Sequence, residues 1–318
     1  MVTNKEIPEM KGMYGEKLFQ AAGSRIRAPL FDYDRVLKLL EGAIDVHIHS
    51  GPDAYATRSG DELEFAIQAC QAGMKAVVFK CHSEPSSRSV HIVQKVVNQW
   101  ADEHNRKRID VFGGVVLNYS VGGLNPEAVV VSARLGGKYV WTPNLDASHH
   151  RKVTGQSGGI DVIDERKNVV PELKEIFSLI AETDMVLGLC HQNTEERLLM
   201  IDEAKRAGIE RIELVHPLLA INKMTIEEIK IAVDKGGVYA GLYCWSLRPP
   251  MFEGWDEVKE LLRVVGPEHI VVGTDVGMFV EVIPVEAMRS FIAEMLVRDV
   301  PDKDMERILK TSPIELLY

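Results

Sequence analysis

From residue 44 to the end of the chain, short β-rich apolar segments alternate with longer segments of helical period. Eight segments read as strands: Ile44–His49, Lys75–His82, Asp110–Leu117, Lys138–Thr142, Met185–His191, Arg211–His216, Gly237–Cys244 and His269–Asp275. Between them, residues 61–72, 90–104, 126–135, 171–183, 194–207, 225–235 and 256–265 carry apolar side chains at helical spacing. Ser59 with Glu62 and Thr225 with Glu228 match the capping box, and Asn125-Pro126 supplies a cap followed by a proline. Gly73, Gly136, Gly208, Gly236 and Gly266 each follow a helical stretch, where a left-handed residue turns the chain.

Strict strand–helix alternation calls for parallel strands with right-handed crossovers. Eight units point to a closed (β/α)8 TIM barrel, since an open sheet would leave two edges to protect. Runs such as Ala-Val-Val-Phe and Ile-Val-Val-Gly suit strands buried on both faces. A doubly wound open sheet is the alternative. The expected organisation is an N-terminal extension at 1–43, the barrel at 44–300, and a C-terminal helix at 301–318 packing on it.

Composition narrows the function. The 318 residues carry 37 basic and 47 acidic side chains, a net charge of −10. Such a field disfavours nucleic acid and anionic membranes, though a locally basic pocket can still hold a small anion. No apolar run reaches the ~18 residues of a membrane helix, and residues 1–20 do not resemble a signal peptide. Cys70, Cys81, Cys190 and Cys244 form no C-x-x-C pair, which fits a reducing cytoplasm. The expected partner is a small-molecule substrate, and the expected assembly a homo-oligomer.

In a barrel of this kind, chemistry belongs at the C-terminal ends of the strands. Of the ten histidines, His47, His49, His82, His191 and His216 end expected strands, and Asp275 ends the eighth. His47 and His49, two apart on a strand, point to the same side and can reach one ion. With His191, His216 and Asp275 they make a nitrogen- and oxygen-rich shell suited to Zn2+, or to Mn2+ or Fe2+. Cys190, just before His191, is expected to face the helices. Lys80 and His82 share a face, so an inward Lys80 would stand beside the H-x-H strand.

The order H-x-H on strand one, His on strands five and six, and Asp on strand eight resembles the amidohydrolase superfamily of metal-dependent barrel hydrolases. The likeness runs over nearly the whole chain from Ile44, including the closing Thr311–Leu317 stretch. It implies one or two divalent ions held by His47, His49 and His191. It makes His216 a ligand or proton-transfer group, and Asp275 both ligand and general base. Two-metal members usually bridge their ions through a carboxylated lysine near the end of strand four. Here strand four ends Tyr-Val-Trp-Thr-Pro with no lysine, and Lys80 on strand two is the candidate. Either it is a bridging carbamate or it is a free ammonium holding a substrate anion.

The segment Asn144–Val170, with His149, His150 and Gly155–Gly159, reads as a long loop over the active face. Arg58 and Arg88 add positive charge there, and with His82 and His150 they are the expected substrate-binding residues. The expected activity is hydrolysis, by metal-activated water, of an amide, cyclic amide, ester or lactone bond in a small anionic substrate. The alternative is a metal-dependent nonoxidative decarboxylase. A deaminase is disfavoured because His191-Gln-Asn-Thr lacks the glutamate expected three residues on, and a non-catalytic binding barrel is the remaining class.

Overall fold

The computed structural model describes residues 32–247 and 255–318. One compact unit runs over Asp34–Tyr318. The first 31 residues of the expected extension lie outside the described residues.

The strands are β1 (Ile44–Ile48), β2 (Ala76–Phe79), β3 in two pieces (Asp110–Phe112 and Gly114–Val116), β4 (Tyr139–Trp141), β5 (Val186–Leu189), β6 (Ile212–Leu214), β7 (Val238–Tyr243) and β8 (Ile270–Gly273). Each pairs in parallel with its successor. The first piece of β3 pairs with β2 and the second with β4. At the break, the Ser86 hydroxyl donates to the Phe79 carbonyl (2.7 Å) and accepts from the Gly114 amide (2.9 Å). It replaces the backbone bonds that β2 and β3 do not make.

The circle closes between β8 and β1. The Asp275 amide donates to the His47 carbonyl (2.8 Å), and the His49 amide to the Val276 carbonyl (3.1 Å). A Cβ on Gly273 would lie 2.7 Å from the His47 Cβ, so this approach requires glycine. The buried Asp45 carboxylate adds a stitch, accepting from the Thr274 amide (2.9 Å), the Thr274 hydroxyl (2.7 Å) and the His47 amide (3.1 Å). Burial pushes its pKa up to about 7, against the pull of these hydrogen bonds.

The helices are α1 (Tyr33–Leu40), α2 (Glu62–Gln71), α3 (Ser87–Glu103), α4 (Pro126–Arg134), α5 (Ser148–Val153), α6 (Pro171–Thr183), α7 (Thr194–Arg206), α8 (Ile226–Val233), α9 (Trp255–Val265), α10 (Pro284–Val297), α11 (Asp302–Glu306) and α12 (Ser312–Leu317). The box at Thr225 and Glu228 forms, and Asn125 caps α4. The box expected at Ser59 does not. Asp61 caps α2 with Glu64, because the helix starts at Glu62 and leaves Ser59 in the loop, where its amide bonds the Gly277 carbonyl. A further box at Asn193 and Glu196 starts α7.

Two apolar layers result. One lies between strands and helices, while the other fills the barrel with Val46, Val78, Val116, Trp141, Tyr243 and Val271. Leu316 and Leu317 of α12 join the inner layer. The Ser312 hydroxyl donates to the Pro267 carbonyl (3.0 Å), and the Tyr318 hydroxyl bonds Asp110 at the start of β3. This end of the barrel is therefore plugged, and the opposite mouth carries the polar residues.

Candidate metal centre

Four of the expected groups meet at the mouth. His47 Nε2 and His49 Nε2 are 3.3 Å apart. Asp275 Oδ1 stands 3.3 Å from the first and 3.1 Å from the second. Ligands at ~2.0–2.1 Å around a tetrahedral ion are separated by about 3.3 Å, so these atoms have the spacing of three corners of such a shell. His216 Nε2 lies 3.6 Å from the other oxygen, Asp275 Oδ2. Ligand atoms of His47, His216 and Asp275 all fall within 4.8 Å of one another.

The local chain geometry aims these groups. His216 and Asp275 both take a left-handed backbone, with φ of 51° and 52°. For residues with a Cβ this costs about 1–3 kcal/mol, a strain usually found at functional sites. His49 Nδ1 donates to the Lys80 carbonyl (2.8 Å), which leaves the Nε2 lone pair facing the centre. His47 is held by packing, edge-on to Tyr243 at 4.8 Å.

Burial, with the Lys80 charge next for His47, keeps His47, His49 and His191 well below the usual histidine range. It brings His216 down to about 3. Neutral imidazole is the form that binds a metal. Burial raises the Asp275 carboxyl, opposed first by His216. Two nitrogens and a carboxylate oxygen at ligand spacing, with neutral rings, fit a divalent ion.

His191 faces the same cavity from one side. Its Nδ1 is 2.8 Å from His150 Nδ1, the rings stack, and its centroid is 5.7 Å from that of His216. His150 comes from α5, so the segment expected as a plain loop contains a helix. That segment is tied down by His149 Nε2 on the Ile221 carbonyl (2.8 Å) and by a bridge between Ala147 and Ile160.

Lys80 is 2% exposed. Its Nζ lies 3.5 Å from Cys190 Sγ and 5.4 Å from the Trp141 ring centre, and among the described residues no acidic group pairs with it. Cys190 therefore points into the barrel, contrary to the expectation that it faces the helices. β5 ends at Leu189, so alternation counted backward from His191 fails; counted forward from Val186, residue 190 faces inward.

A cavity of about 360 Å³ opens above these groups. Its polar side includes His49, Lys80, His82, His191, His216 and Asp275, and its apolar wall includes Leu145, Leu219, Ile221, Trp245 and Met278. His82 lies over His49, with centroids 4.4 Å apart. The Asn144 amide donates to its Nδ1 (2.7 Å), while Asn144 Oδ1 accepts from Asn118 (2.7 Å). His82 consequently carries its proton on Nε2.

Arg58 lines the cavity, but its guanidinium grips Asp53 through contacts of 2.9 and 2.6 Å. Arg88 is not brought in. Its side chain is 70% exposed, 3.6 Å from Glu84. The basic rim expected from the two arginines thus reduces to an Arg58 ion-paired with Asp53 and a buried Lys80 with no acidic partner among the described residues. Asn118, Asn144 and Trp245 were not singled out from the sequence. Asn118 and Asn144 follow the third and fourth strands, so the strand-end rule that found the histidines applies to them too.

Below the centre, Glu213 is fully buried and hydrogen-bonded by the Tyr243 hydroxyl. Burial pushes its carboxyl up to about 7. A carboxyl raised above its unfolded value adds stability that is full below pH ~4.5 and lost as pH rises through about 7. Glu213→Gln should therefore make the decline between pH 5 and 8.5 shallower, leaving the share that comes from Asp45, and leave the variant up to about 3 kcal/mol more stable at the upper end. Urea unfolding of metal-free protein at both pH values checks this, and parallel profiles for variant and wild type would contradict it.

The architecture is that of a (β/α)8 barrel with a histidine- and carboxylate-lined mouth. The chain belongs to DUF6282, described as a family of unknown function, which it matches over residues 42–240. No curated protein matches the sequence. Solved structures share the fold. An amidohydrolase from Pseudomonas aeruginosa is 13% identical with a TM-score of 0.56, covering 88% of this chain and 97% of its own. An organophosphorus hydrolase from Deinococcus radiodurans is 13% identical with a TM-score of 0.53, covering 89% and 94%. A 2,6-dihydroxybenzoate decarboxylase from Rhizobium is 10% identical with a TM-score of 0.51, covering 87% and 98%.

Proposed function

We propose that this protein is a metal-dependent hydrolase of a small anionic substrate, cleaving an amide, cyclic amide, ester or lactone bond. The observation that carries the reading is the triangle of His47 Nε2, His49 Nε2 and Asp275 Oδ1, with edges of 3.1 to 3.3 Å. These three would hold a divalent ion such as Zn2+, Mn2+ or Fe2+, and His216 and His191 would serve a second. When bound, such an ion lowers the pKa of water to about 7 and polarises a carbonyl.

The chain's own groups do the rest. Asp275 accepts the proton of the attacking water and passes it to the leaving group, as general base and then general acid. His216, facing Asp275 Oδ2, is a ligand or shares that proton. His82 offers its Nε2–H to the substrate, and the wall of Leu219, Ile221 and Trp245 excludes water from the apolar part. His150 supports His191, and Arg58 shapes the mouth through Asp53.

Elemental analysis together with a screen of carboxylated amides and lactones tests the reading. Turnover that chelator abolishes and added metal restores is expected; absence of metal from active protein would contradict it. Decarboxylation is the second reading, favoured by one observation: the buried Lys80 amine has no acidic partner among the described residues, and as an ammonium it would be free to bind a substrate carboxylate. Carbon dioxide release without hydrolysis from aromatic acids would establish it instead.

Lys80→Ala separates the two roles of that side chain. As a bridging carbamate, its loss should remove about one metal per chain, and bicarbonate or a short acid should partly restore activity. As a free ammonium, its loss should leave metal content intact and raise KM, with short acids inhibiting. Metal analysis and kinetics read the outcome, and no change in either would refute both roles.

The reading includes a cytoplasmic homo-oligomer. The four free cysteines and the exposed apolar side chains Ile92 and Val96 on α3 and Val131 on α4 support it. Light scattering on the purified protein measures the assembly. Among the described residues no helix is long and apolar enough to cross a membrane.

A further inference from the structure

We infer that Arg197 on α7, with Asn222, is a positioning residue that holds His191 and His216 at a set separation; this rests on the metal-centre reading above. The ladder between β5 and β6 ends where the Val215 amide donates to the Leu189 carbonyl (2.9 Å). The next two carbonyls, of Cys190 and Val215, each belong to the residue just before a mouth histidine. One guanidinium nitrogen takes both. Arg197 Nη2 donates to the Cys190 carbonyl and to the Val215 carbonyl, the latter at 2.7 Å. Asn222 Nδ2 reaches the same pair at 3.3 and 3.4 Å and adds the His216 carbonyl at 3.2 Å. The two side chains continue the strand pairing past the point where backbone can supply it. They also restrain the residue whose backbone is left-handed.

Folding alone does not call for an arginine here. Arg197 is 0% exposed, and among the described residues no acidic group pairs with it. A buried guanidinium without a counter-ion is costly. Its position continues the buried stripe of Met200, Ile201 and Ala204 on α7, where an apolar side chain would avoid the cost of a buried charge and leave the Cys190 and Val215 carbonyls to Asn222 alone. The charge is retained where its donors register two strand ends that each carry a candidate ligand. In the sequence the signal is a lone arginine at i, i+3, i+4 and i+7 spacing with apolar residues.

The test compares Arg197→Met, Arg197→Lys and Asn222→Ala with wild type. Three readouts are needed: Co2+ affinity by chelator competition, the visible spectrum of the Co2+ form, and 15N-histidine ring spectra of metal-free protein. Arg197→Met should weaken Co2+ binding about 10- to 100-fold, the usual scale for groups that orient ligands. It should also alter the spectrum and split or broaden the His191 and His216 ring signals. Arg197→Lys should recover part of each, and Asn222→Ala should move all three less in the same direction. A lower melting temperature with unchanged affinity, spectrum and ring signals would overturn the inference. If Arg197→Met does not fold, Asn222→Ala decides by the same criteria. If wild type takes up no Co2+, the metal reading fails, and the ring signals of the metal-free proteins alone decide the positioning role.

Discussion

His49→Ala is expected to leave a folded barrel with less than about a tenth of the wild-type metal at the His47–His49–Asp275 site and no measurable turnover, and His47→Ala to do the same at a larger cost in stability. Each removes one corner of a three-atom shell, and the two remaining donors bind a divalent ion far more weakly. The difference in stability follows from surroundings. His47 is fully buried against Tyr243 and Trp141, so truncation opens a cavity in the barrel interior, whereas His49 borders the open cavity and its loss mainly frees the Lys80 carbonyl. The closing bonds between β8 and β1 are backbone bonds, which both variants keep. Metal content by elemental analysis, with circular dichroism for the fold, reads the result. Stoichiometric metal and full activity in either variant would remove the H-x-H pair from the centre.

Much of this was legible in the sequence, for a physical reason. Parallel strands buried on both faces are mostly apolar runs, interrupted here by groups with their own partners such as Asp45 and Glu213, so the eight strands stand out, and a polar residue at the end of such a run is placed at the mouth. That logic puts His47, His49, His216 and Asp275 at one mouth, where the structure has them as neighbours. It failed where the chain leaves the strand. Alternation counted back from His191, two residues past the end of β5, turns Cys190 the wrong way, and Asp61 rather than Ser59 stands next to the first helical turn. Arg88 was grouped with the mouth by its place after β2, but side-chain length lets an arginine turn to Glu84 and water. Glu213 meets the Tyr243 hydroxyl 30 residues further on, a pairing no local pattern encodes. Arg197 and Asn222 lie closer in sequence to the carbonyls they bond, but residue type and spacing do not show which backbone carbonyl a side chain reaches.

Asp275→Asn is the substitution that separates metal binding from proton transfer. The amide keeps the size of the carboxylate and one oxygen, so an ion should still be held through His47 and His49, though less tightly. The Asp275 backbone amide bonds the His47 carbonyl whatever the side chain, so barrel closure does not depend on the carboxylate, and circular dichroism checks that the variant is folded. What the variant lacks is an anionic oxygen able to take a proton. Oδ1 faces the two histidines and Oδ2 faces His216, and both lie on the cavity side where substrate must sit. With metal supplied in excess, kcat should fall by ~10²-fold or more, the scale of lost general base catalysis, while KM changes little because ground-state contacts remain. A fall in activity fully reversed by saturating metal would make Asp275 a ligand alone. A near-normal rate at ambient metal and neutral pH would place both its ligand and its proton-transfer roles on other groups, with His216, facing the same carboxylate, the next to replace.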